Sequence, residues 1–238
     1  MADGSPQQPH AVATDTAQQW GQPAKLKLEI ISSQPDLGIV RDFLSEAEAQ
    51  HLMRVADAKG FVTAHTGSTT QGEMYAGMEA GNPFEVMKIK ESTNRTGTVC
   101  LLEPSDDALV PIVMKRVASL AECHAEQVEC LSVVKYLPGQ FFKQHHDGAF
   151  RPKTVFIYLN TVPPGEGGET FFPYVGWKVK PVQGLAAMWG NVSETGQADA
   201  RMIHEGLPTS GDTTKYGINC FVNEKQVQKR LANVVPRT

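Results

Sequence analysis

The rhythm of apolar and polar positions along this 238-residue chain changes near residue 128. Before that point the pattern is mixed. Lys25 to Ile31 alternates apolar and charged residues, which predicts a half-buried edge strand, and Asp36–Val40 reads as a turn followed by a short extended piece. Ser45 stands where a helix N-cap is wanted, with Glu46 and Glu48 in the first turn, and Gly60 supplies a stop after about Ala58. Asn94 to Leu102 regains strand character. A second helix is expected over about Ala108 to Leu120, opened by Ser105-Asp106-Asp107, with Pro111 in the first turn where it is tolerated. From Val128 onward nearly everything reads as strand. Short apolar runs (Leu131–Val134, Thr154–Asn160, Gly184–Trp189, a segment around Ala200–His204, Tyr216–Val222) are separated by Gly- and Pro-rich turns. Such spacing predicts a barrel or sandwich, and the two helices ahead of it make the whole chain α+β.

Three stretches lack this patterning. Residues 1–24, rich in Gln, Pro, Ala and Thr, are expected to be disordered or loosely docked, and 225–238 to form a polar tail. That leaves a single domain over 25–224. Within it, residues 64–94 interleave Gly67, Gly72, Gly77 and Gly81 with small polar residues and methionines, the composition of a lid or a disordered loop. Charge changes the picture by exclusion. With 22 basic against 26 acidic residues, the chain lacks the basic surplus of a general nucleic-acid binder. No apolar run approaches the roughly 18 residues of a membrane span. The start carries no secretory pattern, and the four cysteines show no framework spacing, so the expectation is an intracellular, cytoplasmic protein.

Candidate chemistry concentrates in Tyr136 to Asp147. Pro138-Gly139 breaks one strand, and a second extended segment from Phe141 ends in His145-His146-Asp147. Regular alternation would put His145 and Asp147 on one face and His146 on the other. An imidazole and a carboxylate so placed are two-thirds of the facial triad that holds non-haem Fe(II). His204 is the best third ligand, because it ends a strand-like segment just before a turn. His10, His51, His65 and His124 sit in disordered, helical or glycine-rich contexts. A chelating 2-oxo diacid would also need a cation for its far carboxylate. Lys215, on the following strand, is a candidate, although an ordinary surface lysine with an apolar stem would read the same way. Thr170 and Tyr136 offer hydroxyls, and Tyr136, Trp189 and Phe221 are expected as aromatic neighbours at an open barrel mouth.

Read in order, Tyr136-x-x-Gly139-Gln140-Phe141, His145-x-Asp147, Tyr158-Leu159-Asn160, Gly167-Gly168-Glu169-Thr170-x-Phe172-Pro173, His204-x-Gly206-x-Pro208 and Lys215 resemble the prolyl 4-hydroxylases over about residues 38 to 222. These are Fe(II)- and 2-oxoglutarate-dependent dioxygenases. The resemblance implies a double-stranded β-helix (jelly roll) with N-terminal supporting helices. It implies iron at His145, Asp147 and His204, and Lys215 paired with the 2-oxoglutarate 5-carboxylate, helped by Thr170 and Tyr136. It also implies O2 as co-substrate, ascorbate as reductant, and Arg95 and Arg151 beside a bound peptide. The implied reaction is 4-hydroxylation of prolyl residues in a proline-rich polypeptide, releasing succinate and CO2, and an aromatic-lined rim suits a polyproline II segment. Rival readings are a hydroxylase of free amino acids or other side chains, and a catalytically silent jelly-roll binding module. Two departures from the family pattern stand out. The turn before Lys215 is one residue longer, and Phe221 replaces a frequent Trp.

Overall fold

The computed structural model describes residues 20, 26–64, 66–67, 89–90 and 93–225. The expected N-terminal segment (Trp20 apart), nearly all of the 64–94 lid and the tail beyond residue 225 lie outside the described residues.

The predicted helices form. The first, α1 (Glu46–Lys59), opens with a capping box in which Ser45 and Glu48 satisfy each other's backbone N–H groups, and Gly60 ends it with φ 98°. The second, α2 (Leu109–Ala121), has Pro111 in its first turn, and the Asp107 side chain accepts the Leu109 N–H at 2.8 Å. A buried ion pair ties the two helices together, with Arg116 donating to both carboxylate oxygens of Glu48 at 2.9 and 2.5 Å.

The strands form two antiparallel sheets. Along the larger, eight-stranded sheet lie β1 (Leu28–Ser33), β2 (Asp36–Val40), β12 (Ala186–Gly190), β9 (Lys153–Tyr158), β14 (Lys215–Val222), β7 (Leu131–Tyr136), β6 (Thr98–Leu102) and β3 (Val62–Thr63). The smaller sheet runs β11 (Trp177–Val179), β10 (Thr170–Phe172), β13 (His204–Gly206), β8 (Phe142–His145). The short β4 (Thr66–Gly67) and β5 (Ile89–Lys90) pair only with each other. As predicted for an edge, β1 is outermost, and its Ile30 is 70% exposed.

Period-two alternation sorts the central strands of the large sheet onto two buried faces. Val155 and Ile157 of β9, Leu131 and Val133 of β7 and Ile218 and Cys220 of β14 pack with both helices. The alternate residues Phe156, Tyr158, Val134 and Tyr136 pack toward the small sheet, against Phe172, Val179 and Trp189. Helices, large sheet and small sheet thus make three layers, the arrangement expected of a jelly roll with supporting helices. No helix among the described residues is long and apolar enough to cross a membrane.

One predicted strand is corrected. Ala200–Met202 is a turn of 3-10 helix, and the strand begins only at His204. The Asp199 carboxylate accepts the Arg201 backbone N–H at 3.0 Å, and such local competition for the backbone favours a turn over a ladder.

Candidate active site

The site lies between the two sheets. His204 opens β13 and His145 closes β8, and these two residues are direct partners across the antiparallel pair. Their ring centroids are 4.3 Å apart. Asp147 lies two residues past His145, the end of β8, and as alternation predicted it falls with His145 while His146 does not. The chain turns back at Gly148 (φ 97°), whose N–H donates to His146 Nδ1 at 2.9 Å. The Asp147 carboxylate lies 3.7 Å from His145 Nε2 and 3.8 Å from His204 Nε2. One ligand atom from each of His145, Asp147 and His204 lies within 4.8 Å of the others, and His146 is not part of the group.

The protonation states suit a metal. His145 Nδ1 lies 2.8 Å from the Lys143 carbonyl and His204 Nδ1 lies 2.9 Å from that of Met202. A carbonyl only accepts, so both Nδ1 atoms carry the proton and both Nε2 lone pairs remain for a cation. Burial, with His204 alongside, pushes His145 down to about 3 and keeps it neutral. Burial also raises Asp147, but the neighbouring histidines, the Thr154 hydroxyl and Arg151 outweigh it and hold the carboxyl below its usual range. Two imidazoles and one carboxylate converging beside a cleft fit Fe(II) with positions left for other ligands.

Tyr136, Phe142, His145, Phe156, Thr170, His204, Gly206, Lys215 and Asn219 line that cleft. Lys215 starts β14 opposite Tyr136 and is 2% exposed. Burial pulls its pKa down to about 8. Its Nζ sits 5.6 to 5.9 Å above the rings of Tyr136, Phe156 and Tyr158. No hydrogen-bond acceptor reaches it among the described residues. The longer turn does not displace it. Thr209 Oγ1 donates to the Thr213 carbonyl, Thr213 Oγ1 to Glu166, and Asn160 bridges the Thr214 carbonyl and the Tyr216 N–H. Gly217, two residues on, leaves room for the Phe156 ring, whose nearest atom would lie 2.3 Å from an added Cβ. The Thr170 hydroxyl lies 2.7 Å from that of Tyr158, which also reaches the Val179 carbonyl at 3.2 Å.

Other expected residues are placed differently. Trp189 is 1% exposed and lies behind His204, centroids 4.8 Å apart, so it belongs to the core between the sheets rather than to an open rim. Arg151 is not a free cation. Its guanidinium meets both Glu129 oxygens at 2.7 and 2.8 Å and covers the Phe221 ring at 3.8 Å. Arg95 lies 4.7 Å above Phe142, which stacks on His145 at 3.5 Å, and its buried Nε and Nη2 have no partner among the described residues. Sequence reasoning passed over Phe142, Phe156 and Asn219 of the lining. It also passed over Tyr158, although the Tyr158-Leu159-Asn160 motif held that signal.

The sequence pattern of the 2OG-Fe(II) oxygenase superfamily matches residues 131–223, the stretch from β7 through β14 that carries all three ligands and Lys215. Prolyl 4-hydroxylase 1 of Arabidopsis thaliana is 26% identical over 76% of this chain and 66% of its own length. The chain is thus similar to 2OG-Fe(II) oxygenases over these residues and to prolyl 4-hydroxylases over more of its length. Curated relatives in this family are matched over 36% to 72% of their length. Two solved structures share the fold. The viral collagen prolyl hydroxylase of Paramecium Bursaria Chlorella virus-1, in complex with 2OG, aligns with TM-score 0.59 and 20% identity over 78% of this chain and 94% of that one. A prolyl hydroxylase of Trichoplax adhaerens, in complex with a hypoxia inducible factor peptide fragment, aligns with TM-score 0.57 and 16% identity over 81% and 86%.

Proposed function

We propose that this protein is an Fe(II)- and 2-oxoglutarate-dependent dioxygenase that hydroxylates prolyl residues at the 4-position within a polypeptide, with ascorbate as reductant. The observation that carries this reading is the pairing, across one cleft, of the His145–Asp147–His204 cluster with a buried Lys215 that no acceptor among the described residues reaches. A lysine with no acceptor is costly to bury unless a ligand completes it. The Fe(II) group, with 2-oxoglutarate and O2, would supply the oxidising power, and the co-substrate would leave as succinate and CO2.

The chain's own residues do the rest. Lys215 pairs with the far carboxylate of 2-oxoglutarate, and the Thr170 and Tyr136 hydroxyls donate beside it. Phe142 and Phe156 keep water from the cleft, which strengthens the Lys215 pair. Arg95 offers its unfilled Nε and Nη2 to the carbonyls of an extended peptide, which a polyproline II segment leaves unpaired. Arg151, held by Glu129, forms a fixed wall with Phe221. The Trichoplax structure with its bound peptide supports a polypeptide rather than a free amino acid as substrate.

The test supplies Fe(II), 2-oxoglutarate, O2 and ascorbate with a proline-rich peptide and, separately, free L-proline. The peptide is expected to gain one oxygen with matching succinate. Turnover of free proline with none of the peptide would overturn the reading.

A further inference from the structure

Each of the three clustered donors is aimed by a hydrogen bond to its other polar atom. For both histidines the partner is a backbone carbonyl. Asp147 is the exception, because a side chain aims it. Thr154 Oγ1 lies 2.8 Å from Asp147 Oδ2, and Thr154 is wholly buried at the start of β9.

The direction of that bond follows from its neighbour. Asn191, also fully buried, places Nδ2 at 2.8 Å from the Arg151 carbonyl and 2.8 Å from Thr154 Oγ1. The Arg151 carbonyl only accepts, so the amide must present its NH2 group on this side, and the ambiguity of an asparagine flip is removed. One amide hydrogen then points into Thr154 Oγ1. The hydroxyl has a single hydrogen, and with Asn191 donating to it, that hydrogen goes to the carboxylate.

We propose that Asn191 and Thr154 form a buried relay that locks the rotation of the Asp147 carboxylate, making Thr154 a positioning residue for the metal. This rests on the Fe(II) reading above. The bond is charge-assisted and shielded from water, which makes it strong for a neutral donor. An unlocked carboxylate would have to be ordered by the cation itself, and that lowers affinity. No sequence motif marks this relay, since Thr154 reads as one more β-branched residue of a buried strand.

The test titrates the full-length apoprotein anaerobically with Fe(II), and with Co(II), whose visible absorption reports coordination geometry. Thr154→Val keeps the shape and removes the hydroxyl. It is expected to weaken metal binding about 10- to 100-fold and to change the Co(II) spectrum, as loss of an outer partner of a ligand does. Thr154→Ser, which keeps the hydroxyl, should restore most of the affinity. Equal loss in the Ser and Val variants would mean packing alone and would overturn the relay. So would wild-type affinity and spectrum in Thr154→Val. Asn191→Asp gives a second arm should the valine variant fail to fold by circular dichroism. Its carboxylate accepts the Thr154 hydrogen and draws it from Asp147, so affinity should fall in the same direction, and unchanged affinity there overturns the proposal. Failure of the wild-type protein to bind Fe(II) would instead sink the metal reading itself.

Discussion

The two faces of the large sheet are built from the same strands and differ in what their buried polar groups do. On the helix side, β9 and β14 present Val155, Ile157, Ile218 and Cys220, and the charges buried there, Arg116 and Glu48, form an ion pair with two hydrogen bonds. On the other side, alternate positions of the same strands present Phe156, Tyr158, Lys215 and Asn219. Here no acceptor among the described residues reaches Lys215, and Arg95 nearby has two buried donors without a partner among them. A buried charge paired within the protein fixes the packing of its neighbours. One left unpaired imposes a standing penalty that a ligand relieves, which is why such groups mark functional sites. One face therefore holds the fold together while the other is kept incomplete.

Substitutions can test that division. The largest effect is expected from His204→Ala, which should abolish Fe(II)-dependent succinate formation while circular dichroism shows an intact fold. Wild-type turnover would break the assignment of the cluster. Next, Ile157→Ala on the helix face should lose roughly 2–5 kcal/mol of stability in denaturant unfolding, with metal affinity retained in the folded protein. Weakened metal binding at unchanged stability would erase the distinction between the faces.

Lys215→Ala comes third. Loss of a charge-assisted pair of roughly 1.5–3 kcal/mol should raise the 2-oxoglutarate KM about 10- to 150-fold and leave the Fe(II) requirement alone. Lys215→Arg should not restore it fully, because the planar fork needs a different pocket. An unchanged KM would move the carboxylate elsewhere. The smallest effect is on pH. Burial holds Lys215 near 8, so the free protein loses this cation as pH rises past that value. An anion then binds only with uptake of a proton, and the 2-oxoglutarate KM should climb above pH 8 by up to about tenfold per unit. Kinetics between pH 7 and 9 check this, and the slope should vanish in Lys215→Ala.

Much of the fold was legible because local rules and tertiary packing agreed. Ser45 and Gly60 predicted the ends of α1 from capping, with Glu46 and Glu48 suited to its N-terminal dipole, and Val133, Ile157 and Ile218 sat on strands that short apolar runs had marked. The segment around Ala200–His204 was misread because its apolar residues alternate while Asp199 diverts the backbone. Trp189 was expected on the rim because an aromatic beside a site looks the same in sequence whether it lines the opening or packs behind a ligand. The engagement of Arg151 depends on Glu129, which is separated from it along the chain by β7 and β8. Thr154 and Asn191 carried no signal, since a hydroxyl and an amide become partners only when β9 and β12 are paired.

Taken alone, then, the order of residues determined which side chains could coordinate a cation and which strands and helices would carry them. Those properties depend on residue chemistry and on periodicities that act within a few neighbours. Tertiary structure decided the rest: that the pairing of β13 with β8 brings His204 beside His145 and Asp147, that Lys215 is buried instead of lying on the surface, and that Arg151 is already paired. Each of these depends on distances between segments far apart in the chain. Such distances are set by how the two sheets and the helices pack, and no local pattern encodes them.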